Sequence, residues 1–194
     1  NAYYNASMNE IVFPAAILQA PFYDPGADRA ANLGGIGMVI GHEITHAFDA
    51  AGSLYDEKGN YHVWWTEEEY RKFNELKQEI VDYYDSFELT EGLYVNGTLT
   101  LSENIADLGG LSCMCELCGH DQEALKIMFE NYANCWALKQ TRDTMINYLN
   151  NDVHAPGKIR VNAVVSSMDD FYDAFKVREG DGMYVAPENR VGIW

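Results

Sequence analysis

The chain has 194 residues, 47% of them hydrophobic, enough to bury a core within one domain. Its formal net charge is −17, from 30 acidic against 13 basic residues, a balance that repels phosphate backbones and excludes both a nucleic-acid partner and a polybasic membrane-surface patch. No run approaches the roughly 18 apolar residues that span a bilayer, so no membrane segment is expected in this chain.

In chain order, Asn1 to Leu18 mixes β-branched and aromatic residues and is expected to supply strands, followed by a Pro-, Gly- and Asp-rich loop from Ala20 to Arg29. A long helix is predicted from about Leu33 to Ala51, with Gly52 suited to its end. Its stretch Ile36-Gly-Met-Val-Ile-Gly-His-Glu-Ile-Thr-His-Ala-Phe is apolar nearly all round, which marks a buried helix. Thr66-Glu-Glu-Glu69 is a capping box opening a helix to about Phe87, and Asn96-Gly97 reads as a hairpin turn between short extended runs. A helix begins near Ser102, another spans about Gln122 to Leu138 with Asp121 as its cap, and a short one lies near Met168 to Phe175. His154 and Arg160 flank a Pro-Gly break and are expected on a loop. The sheet is too small for a βαβ layout, so the fold class is α+β with helices dominant.

The chemistry centres on His42-Glu43-Ile44-Thr45-His46, an H-E-x-x-H pattern on the predicted buried helix. Residues i and i+4 share a helix face, so both imidazoles can point at one metal ion, and zinc favours such nitrogen ligands. Glu43 is offset by about 100° and can act on a water beside the metal as a base without ligating it. A catalytic zinc needs a third protein ligand. Glu103-Asn-Ile-Ala-Asp107 offers one, because Glu103 and Asp107 share a face. Glu103 could bind the metal while Asp107 accepts the ring N–H of one ligand histidine, and Asp49 could do the same for the other. On spacing alone Glu103 has a second reading, as the closing member of a capping box that starts at Thr100.

These motifs, taken with others, resemble the C-terminal catalytic part of a neprilysin-type (endothelin-converting-enzyme-like) zinc endopeptidase, of the bacterial oligopeptidase O kind. The stretches that carry the resemblance are Asn1-Ala-Tyr-Tyr4, Asn9-Glu-Ile-Val-Phe-Pro-Ala-Ala-Ile-Leu18, Gly34-Gly-Ile-Gly-Met-Val-Ile-Gly-His-Glu-Ile-Thr-His46, Trp64-Trp-Thr-Glu67, Glu103-Asn-Ile-Ala-Asp107 with Gly109-Gly110, Asp152-Val-His-Ala-Pro-Gly-Lys158 and the terminal Trp194. They come in family order over nearly the whole chain. The resemblance implies a thermolysin-like zincin domain with a small sheet and an active-site helix, spanning residues 1–194. It implies one zinc ion per chain held by His42, His46 and Glu103, and so favours Glu103 as ligand over Glu103 as cap. It places Glu43, His154, Arg160 and Asp107 in the catalytic group, with His154 and Arg160 facing the substrate carbonyl opposite the zinc. Asn1 and Ala2 match the segment that binds substrate backbone as an added strand. Ile17, Phe22, Met38, Val39 and Trp136 match the apolar pocket for the residue after the cut.

The implied activity is endopeptidase cleavage of oligopeptides ahead of large hydrophobic residues. The chain starts inside a family motif and with Asn, so it is expected to be the C-terminal part of a longer protein whose N-terminal helical region closes over the cleft. A zinc-binding fragment with little activity on its own is the alternative. Cys113, Cys115, Cys118 and Cys135 do not have the spacing of a zinc knuckle, and the first three are expected to be small buried helix residues. Glu79, Ala137, Val177 and Val191 stand where secreted animal relatives align disulfide cysteines. Folding without disulfides is therefore expected, as in a bacterial cytoplasm, with an exported protein as the alternative.

Overall fold

The computed structural model describes residues 1–193, so Trp194 lies outside the described residues. The fold is predominantly helical with two small sheets, the α+β class expected from the sequence. The N-terminal stretch forms an antiparallel hairpin of β1 (Tyr3–Asn5) and β2 (Glu10–Val12), with Tyr3 opposite Val12. Pro14 precedes a 3₁₀ turn at Ala15–Ile17.

The predicted 33–51 helix is composite. It opens earlier, at α1 (Arg29–Asn32), where the Asp28 side chain accepts from the Ala30 N–H. A π-helical turn at Leu33–Gly37 leads into α2 (Met38–Thr45). The helix tightens into a 3₁₀ turn at His46–Phe48 and stops at Asp49, whose backbone is extended at φ −77° and ψ −172°. Asp49 stops it because its own carboxylate takes over the following N–H groups, those of Ala51 and Gly52, each at 2.7 Å. Gly52 therefore starts the next 3₁₀ turn, Gly52–Leu54, and does not cap this helix. Nor is α2 buried all round: Ile40 and Ile44 are 38% and 49% exposed, and burial falls on Met38, Gly41, His42, Glu43 and Thr45.

α3 (Glu67–Asp85) begins with the predicted capping box, in which the Thr66 and Glu69 side chains satisfy each other's backbone N–H groups. Its Phe73, Ile80, Val81 and Tyr84 line one face and enter the core. A second hairpin pairs β3 (Glu88–Thr90) with β4 (Leu93–Tyr94). Its turn is at Glu91-Gly92, where Gly92 has φ +73°, and not at Asn96-Gly97 as the dipeptide suggested. Asn96 instead precedes α4 (Leu101–Leu117), its side chain accepting from Leu99 N–H and its carbonyl from Thr100.

α4 is the central element, buried without a break from Asn104 to Leu111. Each large apolar side chain buried in such a position contributes about 1.5–3 kcal/mol. α2 packs chiefly on α4, and glycines let the two backbones meet: a Cβ on Gly41 would sit 3.0 Å from both the Cα and the carbonyl oxygen of Gly110. α5 (Gln122–Cys135), capped by Asp121 as predicted, ends at Cys135, short of Leu138. Two helices were not anticipated, α6 (Arg142–Asn151) and α7 (Gly157–Val165), the second starting right after Pro156. α8 (Asp169–Phe175) closes the fold near its predicted place. Among the described residues no helix is long and apolar enough to cross a membrane.

Candidate metal centre and catalytic cleft

A cleft of about 560 Å³ runs between β1, α2, the start of α4 and the 154–160 segment. Its floor is the outcome of two helices pressed together. His42 and His46 come from one face of α2 and its 3₁₀ extension, and Glu103 and Asp107 from one face of α4. The Nε2 atoms of His42 and His46 stand 3.0 Å apart, and Glu103 Oε2 lies 3.2 Å from the first and 3.6 Å from the second. No other group of three metal-ligating side chains converges this closely among the described residues.

Several observations test whether these residues suit a metal ion. Glu103 Oε2 is buried within reach of three imidazoles yet has no well-oriented hydrogen bond to any of them. Ligand atoms about 2.0–2.1 Å from a tetrahedral zinc stand about 3.3 Å apart, which is the size of this triangle. Each histidine also has its other ring nitrogen fixed: His42 Nδ1 by Asp107 Oδ1 at 2.8 Å, and His46 Nδ1 by Asp49 Oδ2 at 2.7 Å. That leaves both Nε2 atoms directed inward and more basic, the arrangement expected around a zinc. The cleft sets the carboxylates Glu43, Asp49, Glu103 and Asp107 against the single guanidinium of Arg160, so it attracts a cation. The residues fit a divalent ion, and Glu103 is not a cap: the Thr100 side chain makes no capping bond and donates to the Asn96 carbonyl.

The electrostatics follow from burial against pairing. For His46, burial alone would lower the pKa, but Asp49 and Glu103 outweigh it and push the imidazole up to about 10. His42 is raised in the same way, with burial opposed by Asp107 and Glu103. Burial would raise Glu103, but contacts with His154, His42 and His46 hold it well below the usual carboxylate range. Glu43, 5% exposed, is moved the other way, because burial dominates and raises it.

Arg160 departs from the sequence expectation in setting, whereas His154 lies outside the helices as expected. Arg160 is not on a loop. It sits in the first turns of α7, 6% exposed, and its Nε and Nη2 donate to Asp107 at 2.7 Å each. Burial opposes its charge, yet Asp107 holds its pKa above the usual arginine value; Arg160 in turn helps keep Asp107 down at about 2 against its own burial. His154 is in a bend before α7, half-buried, with Nδ1 2.8 Å from Asp152 Oδ1 and Nε2 3.1 Å from Glu103 Oε2. The Glu103 contact raises its pKa most. Asp152 has no role in the sequence expectation, and its i, i+2 spacing to His154 is the signal that points to it.

Asn1 and Ala2 line the cleft just ahead of β1, and Ile17, Phe22, Met38, Val39 and Trp136 form its apolar end. All the singled-out site residues thus meet in one place. The cysteines do not join it. Cys115 and Cys118 are buried as expected, but Cys113 is exposed, because it lies on the outer face of α4.

Known proteins share this arrangement of sequence and fold. Residues 1–191 match the model of Peptidase family M13. The neutral endopeptidase of Lactobacillus helveticus is 46% identical over 194 residues, covering 100% of this chain and 30% of that protein. The crystal structure of PepO from Lactobacillus rhamnosis HN001 superposes with a TM-score of 0.96 at 45% identity, over 100% of this chain and 31% of that one. The Mycobacterium tuberculosis zinc metalloprotease Zmp1, solved in complex with an inhibitor, gives 0.95 at 42% identity, over 100% and 32%. The chain therefore spans about 30% of the length of the relatives it matches. A family match over nearly every residue, and a fold shared at this level with a PepO and a zinc metalloprotease, leave one conclusion: the chain belongs to Peptidase family M13.

Proposed function

We propose that residues 1–194 form the catalytic domain of a zinc-dependent endopeptidase that cuts oligopeptides ahead of large apolar residues. The observation that carries this reading is the convergence of His42 Nε2, His46 Nε2 and Glu103 Oε2 at the floor of a cleft that also presents Glu43. His42, His46 and Glu103 would hold one zinc ion per chain, which when bound lowers the pKa of a water towards about 7 and polarises a carbonyl. Glu43 takes the proton from the attacking water and returns it to the amine nitrogen as the peptide bond breaks. Arg160 commits Nε and Nη2 to Asp107, which leaves Nη1 for the oxygen that gains charge. His154, held at Nδ1 by Asp152, presents Nε2 to the same oxygen. Asn1 and Ala2 would pair with substrate backbone along the edge of β1, and the apolar end from Ile17 to Trp136 would take the side chain after the cut.

Glu43→Gln tests the reading. In the full-length protein it is expected to keep stoichiometric zinc and to lose turnover of a fluorogenic peptide; wild-type turnover in that variant would overturn it. A second reading has one observation in its favour: Ile40, Ile44 and Phe48 leave apolar surface exposed on the helix that carries the motif. The domain would then bind zinc but turn over slowly unless the rest of its protein covers the cleft. Equal rates for the domain alone and the full-length protein would exclude that.

A further inference from the structure

Arg160 is gripped on a side that the catalytic reading does not use. The Trp136 ring lies against its guanidinium, 4.0 Å from ring centre to the guanidinium carbon, well inside cation–π range. One helical turn earlier on α5, the Tyr132 hydroxyl donates to the Arg160 backbone carbonyl at 3.0 Å. The α7 start is pressed onto the same residue, because a Cβ on Gly157 would lie 2.7 Å from the Trp136 carbonyl oxygen. Trp136 also meets the apolar end of the cleft, where its ring packs nearly perpendicular to that of Phe22 with centres 6.1 Å apart. Contacts therefore run from the apolar end through Trp136 to Arg160, from Arg160 to Asp107, and from Asp107 to His42 Nδ1.

We propose that Trp136 is a positioning residue: it holds the Arg160 guanidinium flat against Asp107, and a large side chain filling the apolar end reinforces that hold. The inference rests on the peptidase reading of the cleft and goes beyond Trp136 as a mere wall. A wall changes how tightly the substrate binds. A positioning residue also changes the turnover of bound substrate, and here it changes the order of the carboxylate that orients a ligand histidine.

The test uses the full-length protein with Trp136→Leu and Trp136→Phe. Two measurements are made: kcat and KM on paired peptides with Phe or Ala after the cut, and the zinc dissociation constant by competition with a chelator. Trp136→Leu is expected to lower kcat on the Phe peptide about tenfold, to shrink the kcat advantage of Phe over Ala, and to weaken zinc binding several-fold. Trp136→Phe, which keeps an aromatic face, is expected to restore most of each. In an Arg160→Lys background, which retains a charge for Asp107 but not a flat stacking partner, Trp136→Leu should cost less than it does in wild type. A change in KM alone, with kcat and zinc affinity as in wild type, would overturn the proposal, as would an equal cost in the Arg160→Lys background. If Trp136→Leu does not fold, the Phe variant decides on the zinc constant and the kcat ratio, which it should leave near wild type; a loss as large as that expected for Leu would overturn the proposal. Absence of peptidase activity in the zinc-loaded wild type would refute the underlying function instead, a result distinct from any of these.

Discussion

The two walls of the cleft are built by different means. The wall with His42, His46, Glu103 and Asp107 belongs to α2 and α4, two helices brought backbone to backbone at Gly41 and Gly110. Its side chains are placed by helical periodicity and need only that the helices stay in register. The wall with His154 and Arg160 has no shared helix face, since His154 lies in a bend and Arg160 in the start of α7. His154 is held by Asp152 and Glu103, and Arg160 by Asp107 and Trp136, so side-chain contacts set both positions. The first wall should lose its chemistry when a donor is lost. The second should lose it when a contact is lost, even with every donor present.

The largest expected effect is on the first wall. Glu103→Ala removes one donor of three and is expected to abolish stoichiometric zinc binding, read by metal analysis of purified protein; retained zinc would break the division between the walls. Next is Arg160→Met, which leaves the Asp107 carboxylate buried without its guanidinium. Breaking one partner of a buried pair costs about 3–5 kcal/mol, so a substantially lower denaturation midpoint is expected. His154→Ala should reverse that profile, because His154 is only half-buried. It is expected to lower kcat by about 10²–10³, the range for removing one donor to a developing oxyanion, with little change in denaturation midpoint. The smallest of the four effects is Gly110→Ala, whose Cβ would lie 2.8 Å from the His42 backbone nitrogen. Overpacking of this kind costs about 1–3 kcal/mol, and the sharper readout is zinc affinity, which should fall because the helices move apart. Unchanged affinity would mean that the glycine contact does not set the donor spacing.

The same division explains what could be read in advance. The i, i+4 pairs His42/His46 and Glu103/Asp107 are visible because helical period alone places them on one face. The Thr66/Glu69 box and the Asp121 cap are local in the same sense, and the structure has both. Pro156-Gly157 reads as a break and so puts Arg160 on a loop in the sequence, whereas Pro156 precedes the first turn of α7, where a missing N–H costs nothing. Asn96-Gly97 is the stronger turn signal in the sequence, yet the turn belongs to Glu91-Gly92, because both dipeptides tolerate it and only the pairing of Glu88 with Tyr94 chooses between them. The resemblance named His154 and Arg160 as partners of the site; no spacing rule gives the Asp107–Arg160–Trp136 stack, which exists only in three dimensions.

The π-helical turn at Leu33–Gly37 has a bearing on how this segment can change over generations. Such a turn accommodates one more residue than the regular helix around it. In a regular helix one extra residue rotates all that follows by about 100° about the axis, and the wider turn absorbs that rotation. The same extra residue held in regular helical geometry would swing His42, Glu43 and His46 together away from the cleft, without altering one of them. The turn acts as a dial setting, and its glycines are fixed by what they touch: a Cβ on Gly34 would lie 2.0 Å from the Met128 carbonyl oxygen, and one on Gly35 2.2 Å from that of Phe22.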